Sequence, residues 1–266
     1  MQQITSTHNE RIAALRALSD KRERDRTGLF LVEGVKMVRE AAGCVRVETA
    51  LVDAEQAQAL APLTARLQEA GAQVLFAAPH VFRSVSDAKT PQGILAAVRM
   101  PASGGRPNGA RLVALDGVQD PGNVGTILCT ADAAGFDGAL LGAGCADAFG
   151  PKALRATMGS IFRVPLWRTD ALAQALADCR AAGYSIITSE LNGSPFYERS
   201  GVGERFVLVI GSEARGVSPQ VSQEATHRLK LPMRGGAESL NAAVAAGIML
   251  YELTRPVPAN QEGDNR

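Results

Sequence analysis

Short strand-like blocks recur along this chain, at residues 47–52, 74–76, 94–98, 112–115, 139–141, 185–188, 206–210 and 228–231, and those at 74–76, 94–98, 112–115, 139–141 and 206–210 are unbroken apolar runs. Blocks this short and this apolar read as strands covered on both faces, the habit of parallel sheets. Another strand-like block, "LFLVEG", begins at Leu29. Helical spacing fills the gaps. Ile12, Leu15 and Leu18 mark a helix over 9–26, and Met37 and Val38 lie in a second. Further helices are expected over 55–69, 80–85, 124–134, 152–161, 170–181, 219–224 and 240–253. Strands alternating with helices predict an α/β fold.

The same pattern divides the chain. Residues 1–98 read as a small, self-contained α/β unit with βαβ-like alternation. Residues 99–110, "RMPASGGRPNGA", are rich in Pro, Gly, Ser and Asn and read as a linker. A second α/β unit is expected over 111–254, and the tail 255–266 lacks apolar periodicity and is expected to be disordered. No internal repeat is visible.

Three loops in the second unit share a design. After the strand at 112–115 comes "DGVQDPGNVG", in which a Pro-Gly turn delivers Asn123 to the start of a helix. After 206–210 comes "GSEARG", with Glu213 and Arg215. After 228–231 comes "PMRGGAESLN", ending in Ser239 and Asn241 where an apolar helix begins. Glycine turns that bring polar side chains past the carboxyl ends of strands lie at the edge where open α/β sheets bind ligands. Each polar residue also has an ordinary reading: Asn123 or Ser239 as a helix cap, Glu213 in an ion pair with Arg155 or Arg215.

Composition removes other classes. A formal charge of +1 and near-even counts in both parts leave no global nucleic-acid footprint, so phosphate contacts would need local clusters. One such cluster is "DKRERDR" near residue 20, which reads either as a solvated helix end or as phosphate contacts from Lys21, Arg22, Arg24 or Arg26. Cys44, Cys129, Cys145 and Cys179 are scattered, as are the 3 His, so no metal-ligand spacing exists. No signal-peptide pattern or membrane-length apolar run occurs, and a reducing cytoplasmic location is the simple expectation. Gly142-Ala143-Gly144 lacks the third glycine of a dinucleotide fingerprint, and no Walker A, HExxH or GxSxG pattern is present.

The loops carry a family resemblance. "DPGNVGTILCTADAAGFDG", "LVIGSEARGVS" and "LPMRGGAESLNAAVAAGIMLYE" resemble the three signature motifs of the SpoU (TrmH-like) RNA ribose 2′-O-methyltransferases of the SPOUT superfamily. "PKALRATMGSIFRVPL" is similar to that family's Arg-containing segment, and the first 98 residues to its accessory substrate-binding domain. The resemblance implies a C-terminal SPOUT domain, an α/β fold with a trefoil knot, preceded by a small α/β substrate-binding domain. It implies S-adenosylmethionine as cofactor, RNA as partner with ribosomal RNA favoured over tRNA, a homodimer, and no membrane. By position, Thr188, Gly211, Leu231, Met233 and Leu240 would line the cofactor, with Gly211 permitting close approach and the two leucines flanking the adenine. Asn123, Arg155, Glu213, Ser239 and Asn241 would serve the reaction.

One position departs from the pattern. The family places an Arg six residues after the motif Asn, and here that position is Cys129. A neutral thiol cannot make the bidentate phosphate contact of a guanidinium. Either Arg155 or Arg215 replaces it, with Arg155 favoured, or Cys129 acts as a weak base, or the chain is a weakly catalytic or inactive RNA-binding relative. The nucleotide modified is not legible in these residues.

Overall fold

The computed structural model describes residues 3–101 and 107–255. The middle of the expected linker, and all of the expected disordered tail except Arg255, lie outside the described residues. Two sheets form, one from each part of the chain.

The N-terminal sheet has the order β1 (Gln3–Ile4), β4 (Gln73–Ala77), β3 (Val47–Asp53), β5 (Ile94–Arg99), β2 (Leu29–Glu33). Helices α1 (Glu10–Ala17), α2 (Lys21–Thr27), α3 (Val35–Cys44), α4 (Ala61–Glu69) and α5 (Pro79–Arg83) connect and cover it. The βαβ-like expectation holds for β3, α4 and β4, which pair in parallel, but β5 runs antiparallel to both β3 and β2. α5 is a single short turn-and-a-bit packed on β3, so the chain enters β5 without first returning to the end where β4 began. The period-2 geometry of a strand explains how β5 serves two cores. Ile94, Ala96 and Val98 join Phe30 and Val38 on one face, while Leu95 and Ala97 join Ile12, Leu15 and Phe82 on the other.

The C-terminal sheet is wholly parallel, in the order β11 (His227–Lys230), β9 (Ser185–Pro195), β10 (Phe206–Gly211), β6 (Arg111–Asp116), β7 (Gly138–Leu141), β8 (Leu166–Arg168). Helices α6 (Pro121–Ala133), α7 (Pro151–Thr157), α8 (Leu172–Ala181), α9 (Pro219–Gln223) and α10 (Ala242–Thr254) lie on its faces. β6 and β10 are buried on both sides, as their unbroken apolar composition requires.

Several boundaries differ from the sequence pattern. The helix expected over 9–26 is two helices, because Asp20 turns out of helical geometry and its carboxylate caps α2 through the Arg22 N–H. The helix expected over 55–69 keeps only a 3₁₀ turn at Ala54–Gln56 before α4 starts at Ala61, with Pro62 in its first turn. The one expected over 152–161 stops at Thr157, where Met158 and Gly159 take φ of 52° and 96°. Gly159 suits that φ, which other residues rarely adopt, and a Cβ there would also meet the end of the Glu40 side chain from the other sheet's helix. β9 continues to Pro195, well past the expected end at 188, and Gly193 lets the β11 backbone lie against it. β1 and β8 are short strands that the apolar pattern did not mark.

The two sheets share one continuous apolar cluster in which Phe30 stacks near Phe149 and Phe162, with ring centroids 4.8 and 6.2 Å apart. The "DKRERDR" run proves to be part of this joint. Arg24 is 4% exposed; it donates to Asp147 at 2.6 Å and to the carbonyls of Leu18 and Ser19. Asp25 receives Arg168 at 2.7 Å from the other side. Removing one partner of a buried pair leaves an uncompensated charge, so Arg24→Ala should lower stability by about 3–5 kcal/mol in urea unfolding. Lys21→Ala, at an exposed pair, should change it by less than about 1 kcal/mol.

Candidate active site

β6 and β10 are neighbours in parallel register, Phe206 opposite Arg111 through Gly211 opposite Asp116. Their carboxyl ends therefore open at one edge, and the loops "DGVQDPGN" and "GSEARG" leave the sheet side by side. The Asp116 carboxylate fastens the second loop by accepting the Ser218 N–H at 2.6 Å. α10 packs on α6 and brings its N-terminus to the same place.

Three of the expected residues form one hydrogen-bonded chain there. The Asn123 amide donates to Glu213 Oε1 at 2.7 Å, and the Asn241 amide donates to Asn123 Oδ1 at 3.1 Å. Asn241 Oδ1 in turn accepts the backbone N–H groups of Ala243 and Val244, capping α10. Each amide thus has its donor and acceptor ends set by its neighbours. Burial works to raise the Glu213 pKa, but the Asn123 amide and the backbone N–H groups of Glu213, Gln119 and Asp120 outweigh it and hold it below its ordinary value.

Neither plain reading of Asn123 or Glu213 applies. Asp120, not Asn123, caps α6, accepting the Asn123 N–H at 2.9 Å, and this frees the Asn123 side chain. Glu213 pairs with no arginine among the described residues. Arg155 lies on α7 and reaches away to Asp87 of the N-terminal sheet at 2.6 Å. The cation beside the network is Lys152, whose ammonium lies 2.7 Å from Asp120 and lowers that carboxyl's pKa. Sequence reasoning missed Asp120 and Lys152; the first had a signal, an Asp directly before Pro121 at the start of a helix. Cys129 is half-buried on α6, about 9 Å along the helix axis from Asn123. Arg215 is exposed in its loop.

The residues expected around a cofactor are distributed more unevenly. Among the described residues the backbone from Met233 to Leu240 makes no hydrogen bond, so its N–H and C=O groups are free to meet a ligand. Leu231 and Met233 are half-buried, while Ser239 and Leu240 are exposed in the same loop. Thr188 is fully buried, and its hydroxyl donates to Glu190 at 2.6 Å, a residue the apolar pattern had left beyond the end of the strand. Gly211 does allow a close approach, but by the chain's own backbone: a Cβ would lie 2.1 Å from the Gly216 carbonyl carbon. This loop-closing role also holds the Ser212–Gly216 bridge in place.

Comparison with known proteins agrees with this geometry. Residues 110–251 match the model of the SpoU rRNA Methylase family, and residues 9–96 match an MRM3-like substrate binding domain. The chain belongs to the SpoU rRNA methylase family. This SpoU protein is 36% identical to the 23S rRNA (guanosine(2553)-2'-O)-methyltransferase RlmP of Bacillus subtilis, over 95% of this chain and 99% of that one. It superposes on an AdoMet-bound rRNA methyltransferase from Sinorhizobium meliloti with a TM-score of 0.83 and 34% identity, covering 96% of this chain and 97% of the other. A SpoU methyltransferase, AviRb of Streptomyces viridochromogenes in complex with AdoMet, gives a TM-score of 0.80 at 29% identity, covering 93% and 98%.

Two outcomes follow for this SpoU protein. Gly211→Ala should cost about 1–3 kcal/mol, read by thermal unfolding, because backbone rather than a movable side chain blocks the new methyl group. Glu213 has a folded pKa below its ordinary value of 4.5, so its stabilising contribution is present above that value and is lost as pH falls through the folded pKa. Stability curves of wild type and Glu213→Gln should therefore converge on acidification below pH 4.5 and separate above it. Parallel curves across that range would remove the assignment.

Proposed function

We propose that this protein transfers the methyl group of S-adenosylmethionine to a ribose 2′-hydroxyl of ribosomal RNA. The hydrogen-bonded chain Glu213–Asn123–Asn241, set beside the unpaired loop backbone from Met233 to Leu240, carries the reading. The loop suits the cofactor because it combines free backbone polar groups with the partly exposed apolar side chains of Leu231, Met233 and Leu240. Thr188 and Gly211 shape the site from beneath. The cofactor, when bound, supplies an electrophilic methyl group on a sulfonium. Residues 1–98 present the RNA and 111–254 carry the transfer.

The protein's own part is positioning. Asn123 is the central member: it orders Glu213 through its amide nitrogen and Asn241 through its oxygen. Asn241 and the exposed Ser239 hold the ribose so that its 2′-oxygen lies behind the methyl group. The hydroxyl proton passes to solvent as the oxygen–methyl bond forms and the methyl–sulfur bond breaks, and a protein cation held against the adjoining phosphate assists by stabilising the developing oxyanion. Lys152 is better placed for that charge than Arg155, because Lys152 stands at Asp120 beside Asn123 while Arg155 lies a turn further along α7.

The return of β11 to the outer side of β9, past β10, supports a knotted C-terminal region. An apolar stripe formed by Val244 and Tyr251 of α10, 51% and 54% exposed, with Leu240 of the loop before it, 38% exposed, supports a homodimer built on that helix. No helix among the described residues is long and apolar enough to cross a membrane, and a cytoplasmic setting with ribosomal RNA follows from the same reading.

Incubated with labelled S-adenosylmethionine and unmodified rRNA, the wild-type chain should leave label in alkali-resistant dinucleotides. Asn123→Ala, which disconnects Glu213 from Asn241, should lower kcat/KM about 100-fold. Cofactor binding, seen as about 2.7 kcal/mol of stabilisation at a hundred times its Kd, without transfer to rRNA or tRNA would reject the reading. Transfer only by a Cys129→Arg variant would instead mark a relative that has lost its catalytic cation.

A further inference from the structure

A cavity of about 510 Å³ lies where the N-terminal sheet meets α7, within the ~300–1,000 Å³ usual for ligand sites. Its walls are apolar: Leu31, Met37 and Val85 from the N-terminal sheet and its helices, Phe149 and Leu154 from the other. Its exposed rim carries three cations, Arg16, Lys36 and Arg155. Lys36 has no ion-pair partner among the described residues. The two acids nearby are already engaged: Glu33 accepts the Ser86 hydroxyl and the Asp87 N–H, and Asp87 accepts Arg155. Gln92 uses its oxygen on the Val35 N–H, while its amide nitrogen has no partner among the described residues.

α7 links the cavity to the candidate active site. Lys152 and Arg155 lie on one face of α7, about 4.5 Å apart along its axis. Lys152 touches Asp120 beside Asn123, and Arg155 stands at the cavity rim. An RNA strand whose ribose lies at Asn241 and whose phosphate reaches Lys152 continues over Arg155. The Arg155–Asp87 pair is 63% and 60% exposed, weak enough for an RNA phosphate to take Arg155 from Asp87.

We propose that this cavity receives the base of an unpaired RNA nucleotide next to the one that is methylated. Such a base needs an apolar surface to lie against, hydrogen-bonding groups at its edge and cations for the flanking phosphates, and this cavity offers all three, with room for the attached sugar. The site spans both sheets, so the N-terminal part contributes to nucleotide choice and not only to general affinity. This assignment rests on the methyl-transfer reading above.

Two measurements on the full chain test it, with unmodified rRNA as probe. Met37 is half-buried in the cavity wall, and its oxidation to the sulfoxide under limiting peroxide should slow severalfold when RNA saturates the protein. Met37→Trp, which fills the slot, should weaken RNA binding about tenfold, while the thermal shift given by S-adenosylmethionine stays as in wild type. An unchanged Met37 oxidation rate with RNA bound, or an unchanged Kd for the variant, overturns the site. Methyl transfer assayed on the same RNA separates the two readings. Transfer without protection of Met37 rejects the cavity alone; protection without transfer sustains the cavity and rejects the activity.

Discussion

The parallel pairing of β6 with β10 is the constraint on which the rest of this molecule depends. Its register ends with Gly211 opposite Asp116, so two loops distant in sequence leave the sheet at the same level. Asp116 holds the second loop through Ser218, and Gly211 lets that loop fold back against its own strand. Only then do Asn123 and Glu213 come within hydrogen-bonding distance, 90 positions apart in the chain. α10, seated on α6, completes the set by placing Asn241 on the free oxygen of Asn123.

That geometry explains why an amide, not a charged group, occupies the centre. Asn123 must give a hydrogen bond to a carboxylate and take one from a second amide, and only a side chain with both a donor and an acceptor can do so. A carboxylate there would face Glu213 with like charge, and a cation would have nothing to offer Asn241. Asp120 takes over the capping of α6 and so leaves the asparagine available for the site. The same Asp120 draws Lys152 to the edge of the network, whereas Arg155, one turn further on α7, is drawn to the other sheet by Asp87.

The N-terminal part is bound to the C-terminal part too firmly to act as a loose appendage. Arg24 is buried with three acceptors, two of them carbonyls of its own segment and one Asp147 across the joint. Arg163 adds a second link, reaching both Asp132 and Glu40. Aromatic packing of Phe30 on Phe149 and Phe162 lies between them.

Much of the architecture was legible in the residues. Unbroken apolar blocks such as 112–115 and 206–210 mark strands buried on both faces whatever their neighbours are, since burial on both sides is a property of the block itself. The three glycine-bearing loops and the polar residues in them were legible for the same reason: a turn's chemistry is local. What local chemistry could not convey was partnership. "DKRERDR" looks like a solvated run until Asp147 and Arg168 arrive from the other sheet, and nothing in the chain order pairs Arg155 with Asp87. The helix over 152–161 ends where Met158 and Gly159 turn to positive φ beside Glu40, a neighbour 119 positions away, and Gly211 is needed for a backbone contact that no spacing records. The sequence by itself determined most of the strands and helices, though not their ends, and the three loops with the candidate residues in them, because these follow from short-range sterics and burial. Tertiary structure alone decided which charges meet, which glycines are indispensable and which side chains form the site, because those depend on distances between segments that the chain order does not contain.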